Sequence, residues 1–252
     1  MRLTFCLAFL ICAPFAACSE QSAAESREDF CKRWGAAACN DDVVQLCGAS
    51  DTAACRLAQE RSCLDRVPLT GFVDDRADAC IDAVKSAYAD SDLTASELDT
   101  VLRLGPPCDR LVKGPQASAE ACTAPVDCDR PAGYDCVFKA SDLTGSCQKP
   151  ALVQPGRDCS ADNAVCTVGF YCNGSNCIES GSLGEACVHD EQCAEGYCAA
   201  NGQCSLGLAV NAACTLDSQC ATGVCYKFSA TEQVCTDRVR LSRTDPLCEA
   251  FR

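Results

Sequence analysis

The stretch CVHDEQCAEGYC, residues 187–198, holds three cysteines and the single histidine of the chain, His189. Such side chains are the ligands of a structural zinc site, the thiols of a redox centre, or the base of a hydrolase. Each chemistry demands its own spacing. Structural zinc sites take close cysteine pairs, C-x2-C above all. Here the nearest cysteines are five residues apart, at 172/177, 193/198 and 220/225. Thiol redox catalysis uses C-x-x-C, and the chain has none. A serine triad would have to use His189 on a short segment with little scaffold to position it. Neither G-x-S-x-G nor a phosphate loop occurs. DSDLTASELDTV, from Asp90, starts like a calcium loop, but Ala95 stands where glycine is required and Val101 where glutamate is required. Thr94 and Glu97 read instead as a capping box opening a helix. No catalytic, cofactor-binding or metal-ligating residue is expected, and no cofactor.

The cysteines have another use. There are 27 in 252 residues, a density that marks a disulfide scaffold. Aromatic residues make up 6%, with one Trp, so the chain lacks the large apolar side chains of a deep core and needs cross-links instead. Cross-links persist in oxidising compartments, which argues for export. The N-terminus agrees. MRLTFCLAFLICAPFAAC carries one charge, Arg2, then an apolar run to Phe15. Residues 1–17 read as a secretory signal peptide, too short to span a membrane.

FAAC, residues 15–18, resembles the bacterial lipobox, with Phe15 in place of the usual Leu. The resemblance implies that Cys18 becomes a diacylated N-terminal residue, an anchor to the membrane through lipid. Residues 18–25 then form a tether. Ser19 follows rather than Asp, which implies the cell outer membrane or cell surface. Cleavage after Ser19 is the alternative, giving a secreted soluble ligand or antagonist. Either route removes Cys6 and Cys12 and takes Cys18 out of pairing, by lipidation or by cleavage, which leaves an even 24 cysteines.

Charge excludes a nucleic-acid partner. Residues 19–105 carry 17 acidic and 9 basic side chains, and residues 106–235 carry 15 and 7. Neither has the basic footprint that phosphate backbones require. Arg238, Arg240 and Arg243 are expected on a solvated C-terminal tail, 236–252.

The fold class expected is small and disulfide-rich: a stapled α-helical domain, then four short cysteine-rich repeats with β-hairpins. In the helical part, 26–105, Ser26 and Asp51 are candidate caps, and 77–88 has helical apolar spacing. Cys31, Cys39, Cys47, Cys55 and Cys63 lie eight residues apart, so one continuous helix would not keep them on one face. Two or three short helices are expected, and with Cys80 the six cysteines could close three bridges. Residues 106–121 read as a linker rich in Pro and Gly.

The repeats span 122–147, 159–177, 187–204 and 214–235. Their cysteines are Cys122, Cys128, Cys136 and Cys147; Cys159, Cys166, Cys172 and Cys177; Cys187, Cys193, Cys198 and Cys204; and Cys214, Cys220, Cys225 and Cys235. An Asp recurs three residues after the first cysteine (Asp162, Asp190, Asp217), where it could cap a local turn. A Gly recurs three after the second (Gly169, Gly196, Gly223). Gly156, Gly184 and Asn211 precede the first cysteine by three, the residue types that accept positive φ. Asn173-Gly174 and Asn201-Gly202 signal hairpins. First-to-third and second-to-fourth pairing is favoured in each repeat. Cys108 and Cys248 are left over and are expected to pair, clasping the ends of the array.

C-x2-D-x2-C-x2-G-x-C at 187–198 and 214–225, and C-x2-D-x3-C-x2-G-x-Y-C at 159–172, resemble the Dickkopf N-terminal cysteine-rich repeat. Similar repeats occur in cysteine-rich bacterial lipoproteins. The first repeat departs, with Pro125 and Pro131 in the Asp and Gly positions. The resemblance covers about half the chain and implies a scaffold rather than a ligand. Recognition is expected in the variable loops between third and fourth cysteines. The two long ones hold Phe138, Tyr226 and Phe228, expected either to be exposed and to meet an unknown protein or glycan, or to pack on a neighbouring repeat. The function expected is that of a surface-anchored binding or structural lipoprotein without catalysis; the secreted form is the alternative, and a hydrolase the weakest reading.

Overall fold

The computed structural model describes residues 15–139, 144–229 and 231–252, with side chains from residue 26 onward. The expected signal peptide, apart from Phe15, Ala16 and Ala17, and the side chain of Cys18 lie outside the described residues.

Five helices form the N-terminal part: α1 (Phe15–Ala38), α2 (Asp41–Cys47), α3 (Thr52–Arg66), α4 (Ala77–Ala87) and α5 (Ala95–Arg103). Helical backbone runs through residues 18–25, so the expected tether continues α1, and Ser26 lies inside that helix rather than capping it. The starts of α2, α3 and α5 follow local chemistry. Asn40 accepts from the Val43 amide and Asp51 from the Ala54 amide. Thr94 and Glu97 form the reciprocal capping box.

The eight-residue cysteine spacing becomes intelligible once α1 and α3 run antiparallel. Cys31 bonds Cys63 and Cys39 bonds Cys55, so one step up α1 matches one step down α3. At about 1.5 Å per residue the two staples stand roughly 12 Å apart along the axes. Between them the helices almost touch: a Cβ on Gly35 would lie 2.6 Å from the Arg56 carbonyl oxygen. Phe30 and Trp34 are fully buried on this face, and Phe72 packs on Phe30 with ring centroids 5.5 Å apart.

The remaining helical cysteines do not pair with each other. Cys47 bonds Cys248 and Cys80 bonds Cys108. The expected Cys108–Cys248 bridge is therefore corrected, as is the expectation of three bridges confined to the helical part. The reason lies in the apolar residues around each partner. The supposed linker, 106–121, is folded: Leu111 is fully buried, Val112 bridges Phe72, and the Lys113 amide donates to the Gly71 carbonyl at 2.7 Å. That packing carries Cys108 to α4. The supposed tail, 236–252, returns to the helices. Strand Arg238–Arg240 pairs antiparallel with strand Asp92–Thr94. Val239 points inward while Arg238 and Arg240 face solvent. Leu241, Leu247 and Phe251 are buried, and Phe251 meets Tyr88 edge-on at 5.3 Å.

The cysteine sets between residues 122 and 235 form small antiparallel sheets, each around its own sulfur cluster. Pairing is first-to-third and second-to-fourth in every set. The residue three before the first cysteine has positive φ in all four, Ala119 taking the place of glycine in the first. Its amide donates to the fourth cysteine's carbonyl each time: 119 to 147, 156 to 177, 184 to 204 and 211 to 235. The residue six before the first cysteine lies parallel to the second: Gln116 with Cys128, Val153 with Cys166, Gly181 with Cys193, Leu208 with Cys220. Each folded unit thus starts six residues earlier than its first cysteine. Of the Asn-Gly pairs only the glycines are left-handed, so these are not type I′ turns. Asn173 and Asn201 instead accept backbone amides two residues on, at 3.0 and 3.2 Å.

Peptide mapping of the unreduced protein is expected to join Cys47 to Cys248 and Cys80 to Cys108. Replacing Cys47 and Cys248 together by serine is expected to lower the stability of the helical part by about 2–5 kcal/mol, measured by denaturant unfolding followed at Trp34. Amide protection in the strand Arg238–Arg240 is expected to fall with it.

Candidate functional site

The turns that hold the cysteines are built by residues whose role was partly misassigned from spacing. In the third and fourth sets the Asp does not cap a local turn. The Asp190 carboxylate accepts from the Cys198 amide at 2.8 Å, and Asp217 from the Cys225 amide at 2.7 Å. Each fixes the third cysteine, eight residues on. The cap belongs to the residue just before the second cysteine. Gln192 accepts from the amides of Val188 and His189, and Gln219 from those of Thr215 and Leu216. In the first set Asp127 does the same for Thr123 and Ala124, at 2.7 and 3.0 Å. The phrases VDC, EQC and SQC carried this signal: an acceptor at the third position of a short turn. The amides of Thr123 and Ala124 hold the Asp127 carboxyl below its ordinary pKa.

The three aromatic residues expected in binding loops separate. Tyr226 is 6% exposed and lies in the helical core, its hydroxyl donating to Asp245 at 2.8 Å. Burial, chiefly, and the bond to Asp245 push that hydroxyl well above the usual tyrosine range. Phe228 is half-buried and packs edge-on to Tyr226 at 4.7 Å. Both residues fasten the last cysteine set to the helices, so their expected exposure is corrected. Apolar rings beside an open apolar core go into it. Phe138 remains 44% exposed.

Phe138 stands at the rim of a groove of about 780 Å³ formed where the first three cysteine sets meet. Phe170 and Tyr171 come from the second set, His189 and Glu191 from the third. Lys139 also lines it, its ammonium donating to the carbonyls of Ser160 and Ala161 at 2.6 and 2.8 Å. His189 Nε2 is buried and, among the described residues, without a hydrogen-bond partner. In the second and fourth sets the position of His189 is filled by Ala161 and Leu216, so a comparison of repeats reads it as a variable slot. That comparison tests what a repeat needs to fold, and is silent about surfaces formed between repeats.

Three sulfurs within each of the four sets lie within 4.8 Å of one another. This crowding is that of two adjacent disulfides. Each of those sulfurs already has a covalent partner, whereas metal binding requires thiolates. Among the described residues no helix is long and apolar enough to cross a membrane. In comparisons with protein-family models, curated proteins and solved structures, none matches this chain.

Two outcomes follow. Asp127 has a lowered folded-state pKa, so its stabilisation is complete above the unfolded value of about 3.9 and fades as pH falls through the depressed one. Neutral Gln192 and Gln219 do the same work without titrating. Hydrogen exchange at acid pH is expected to show lost protection at Thr123 and Ala124, with Val188, His189, Thr215 and Leu216 unaffected. Separately, Tyr226→Phe removes one of the two donors to Asp245 Oδ1, leaving the Leu247 amide, and is expected to cost about 1–2 kcal/mol in denaturant unfolding. Phe138→Ala is expected to change stability by less than about 0.5 kcal/mol.

Proposed function

We propose that this chain is a non-catalytic surface lipoprotein, anchored through Cys18 at the cell outer membrane or cell surface. In this reading its four cysteine-rich units are one repeat used four times, and their junction holds the ligand site. The observation that carries the reading is the aromatic groove on a frame closed by disulfides. A groove whose walls are covalently fixed loses little conformational freedom when a ligand enters. Its volume is of the size that binding clefts take. The likeness to the Dickkopf N-terminal repeat and to bacterial cysteine-rich lipoproteins supports a scaffold presenting variable surfaces. The lipobox-like FAAC supports the anchor. Both ends of the repeat region rest on the helices, the first through Cys80–Cys108 and the last through Tyr226 and an Arg103–Asp217 ion pair at 2.7 Å. The helical part would then stand between the lipid and the groove and set its distance from the membrane.

Mass spectrometry of the mature N-terminus tests the anchor. A diacylated Cys18 is the expected result. An unmodified terminus near Glu20 overturns the anchor and leaves the secreted form.

A further inference from the structure

The polar groups around the groove are not evenly spoken for. Lys139 is the single lysine or arginine among its described lining residues, and its ammonium is already held by two carbonyls and lies 3.5 Å from Asp162. The Gln192 carboxamide oxygen is taken by two amides. Asp135 accepts from the Cys136 amide at 2.9 Å and stands 3.8 Å from Arg130. What is left is one carboxylate, an imidazole nitrogen, the Gln192 amide donors and the aromatic rings. No ion pair or hydrogen bond among the described residues reaches the exposed Glu191 carboxylate. Among the described residues His189 Nε2 has no hydrogen-bond partner. Around them stand the rings of Phe138, Phe170 and Tyr171.

We propose, on the reading of this groove as a ligand site, that it takes a basic side chain of a peptide, arginine above lysine, flanked by apolar residues. Charge complementarity carries the choice. Aromatic faces present negative potential to a cation. An unpaired carboxylate beside them adds to it, and the chain as a whole has a net charge of −14. A planar guanidinium can stack on a ring and still give paired hydrogen bonds to Glu191, which an ammonium cannot do. The groove, at about 780 Å³, exceeds one side chain, and its aromatic walls suit apolar neighbours of the arginine.

The test is NMR titration of the full mature chain carrying Cys18→Ser, with three probes: Ac-Leu-Arg-Phe-NH2, Ac-Leu-Glu-Phe-NH2 and chitohexaose. The arginine peptide is expected to shift the amides of Phe138, Tyr171 and Glu191 and to bind at least about tenfold more tightly than the glutamate peptide. Glu191→Gln, on an exposed turn, is expected to weaken it about tenfold. Glu195→Gln, on the same repeat outside the groove, is expected to leave it unchanged. Equal binding of the two peptides, or no loss in Glu191→Gln with its other amide shifts intact, overturns the proposal. So does chitohexaose shifting groove amides where the arginine peptide does not, an outcome that leaves the groove standing as a ligand site. Silence of all three probes at those amides overturns both.

Discussion

A single buried carboxamide shows what the fold rests on. Gln59 of α3 is 1% exposed. It accepts from the Trp34 indole at 3.2 Å and donates to the Ala250 carbonyl at 2.8 Å. One side chain therefore links α1, α3 and the final turn of the chain. A buried amide left without partners is costly, so the helical core is complete only when the C-terminus has arrived. Phe251, Leu247 and the Cys47–Cys248 bond seal the same contact. The region between is consequently a loop of chain whose two ends are pinned to one small domain.

That constraint changes what the cysteine-rich units have to do. Among the described residues, each is built around its own sulfurs with at most three neighbouring apolar side chains. Each closes through two bridges with sequence separations of 11 to 19 residues, and each such cross-link removes about 3 kcal/mol of unfolded-chain entropy. Cystine here substitutes for the large apolar residues the chain lacks. The turn residues then have one task, to deliver cysteines at the right separation. Positive φ before the first cysteine and a side-chain acceptor before the second perform it in different residue types. Ala119 and Asp127 hold in the first set what glycine and Gln192 hold in the third.

Short units joined by few residues also meet closely. The groove at Phe138, Tyr171 and His189 belongs to no single unit, since each contributes one wall. Its polar character follows from the same economy. Lys139 is drawn to the carbonyls of the next unit, and the Glu191 carboxylate of the third unit is left exposed.

What the sequence by itself determined is local. Helix starts at Asp51 and Thr94, the positive-φ positions and the pairing order within each cysteine set follow from residues a few positions apart. Their geometry is set by backbone sterics and short loops, which composition and spacing encode. Partners far apart in the chain were decided by tertiary structure alone. Cys108 and Cys248 were the two cysteines outside any set, and arithmetic joined them. Burial of Leu111 and Phe251 instead sent each to a different helix. Tyr226 and Phe228 looked like loop aromatics because spacing does not reveal that an uncovered core lies beside them. His189 looked incidental because the surface it lines exists only where three units meet. Apolar burial and contact between units depend on which faces remain open once the helices have packed, and no periodicity of one segment records that.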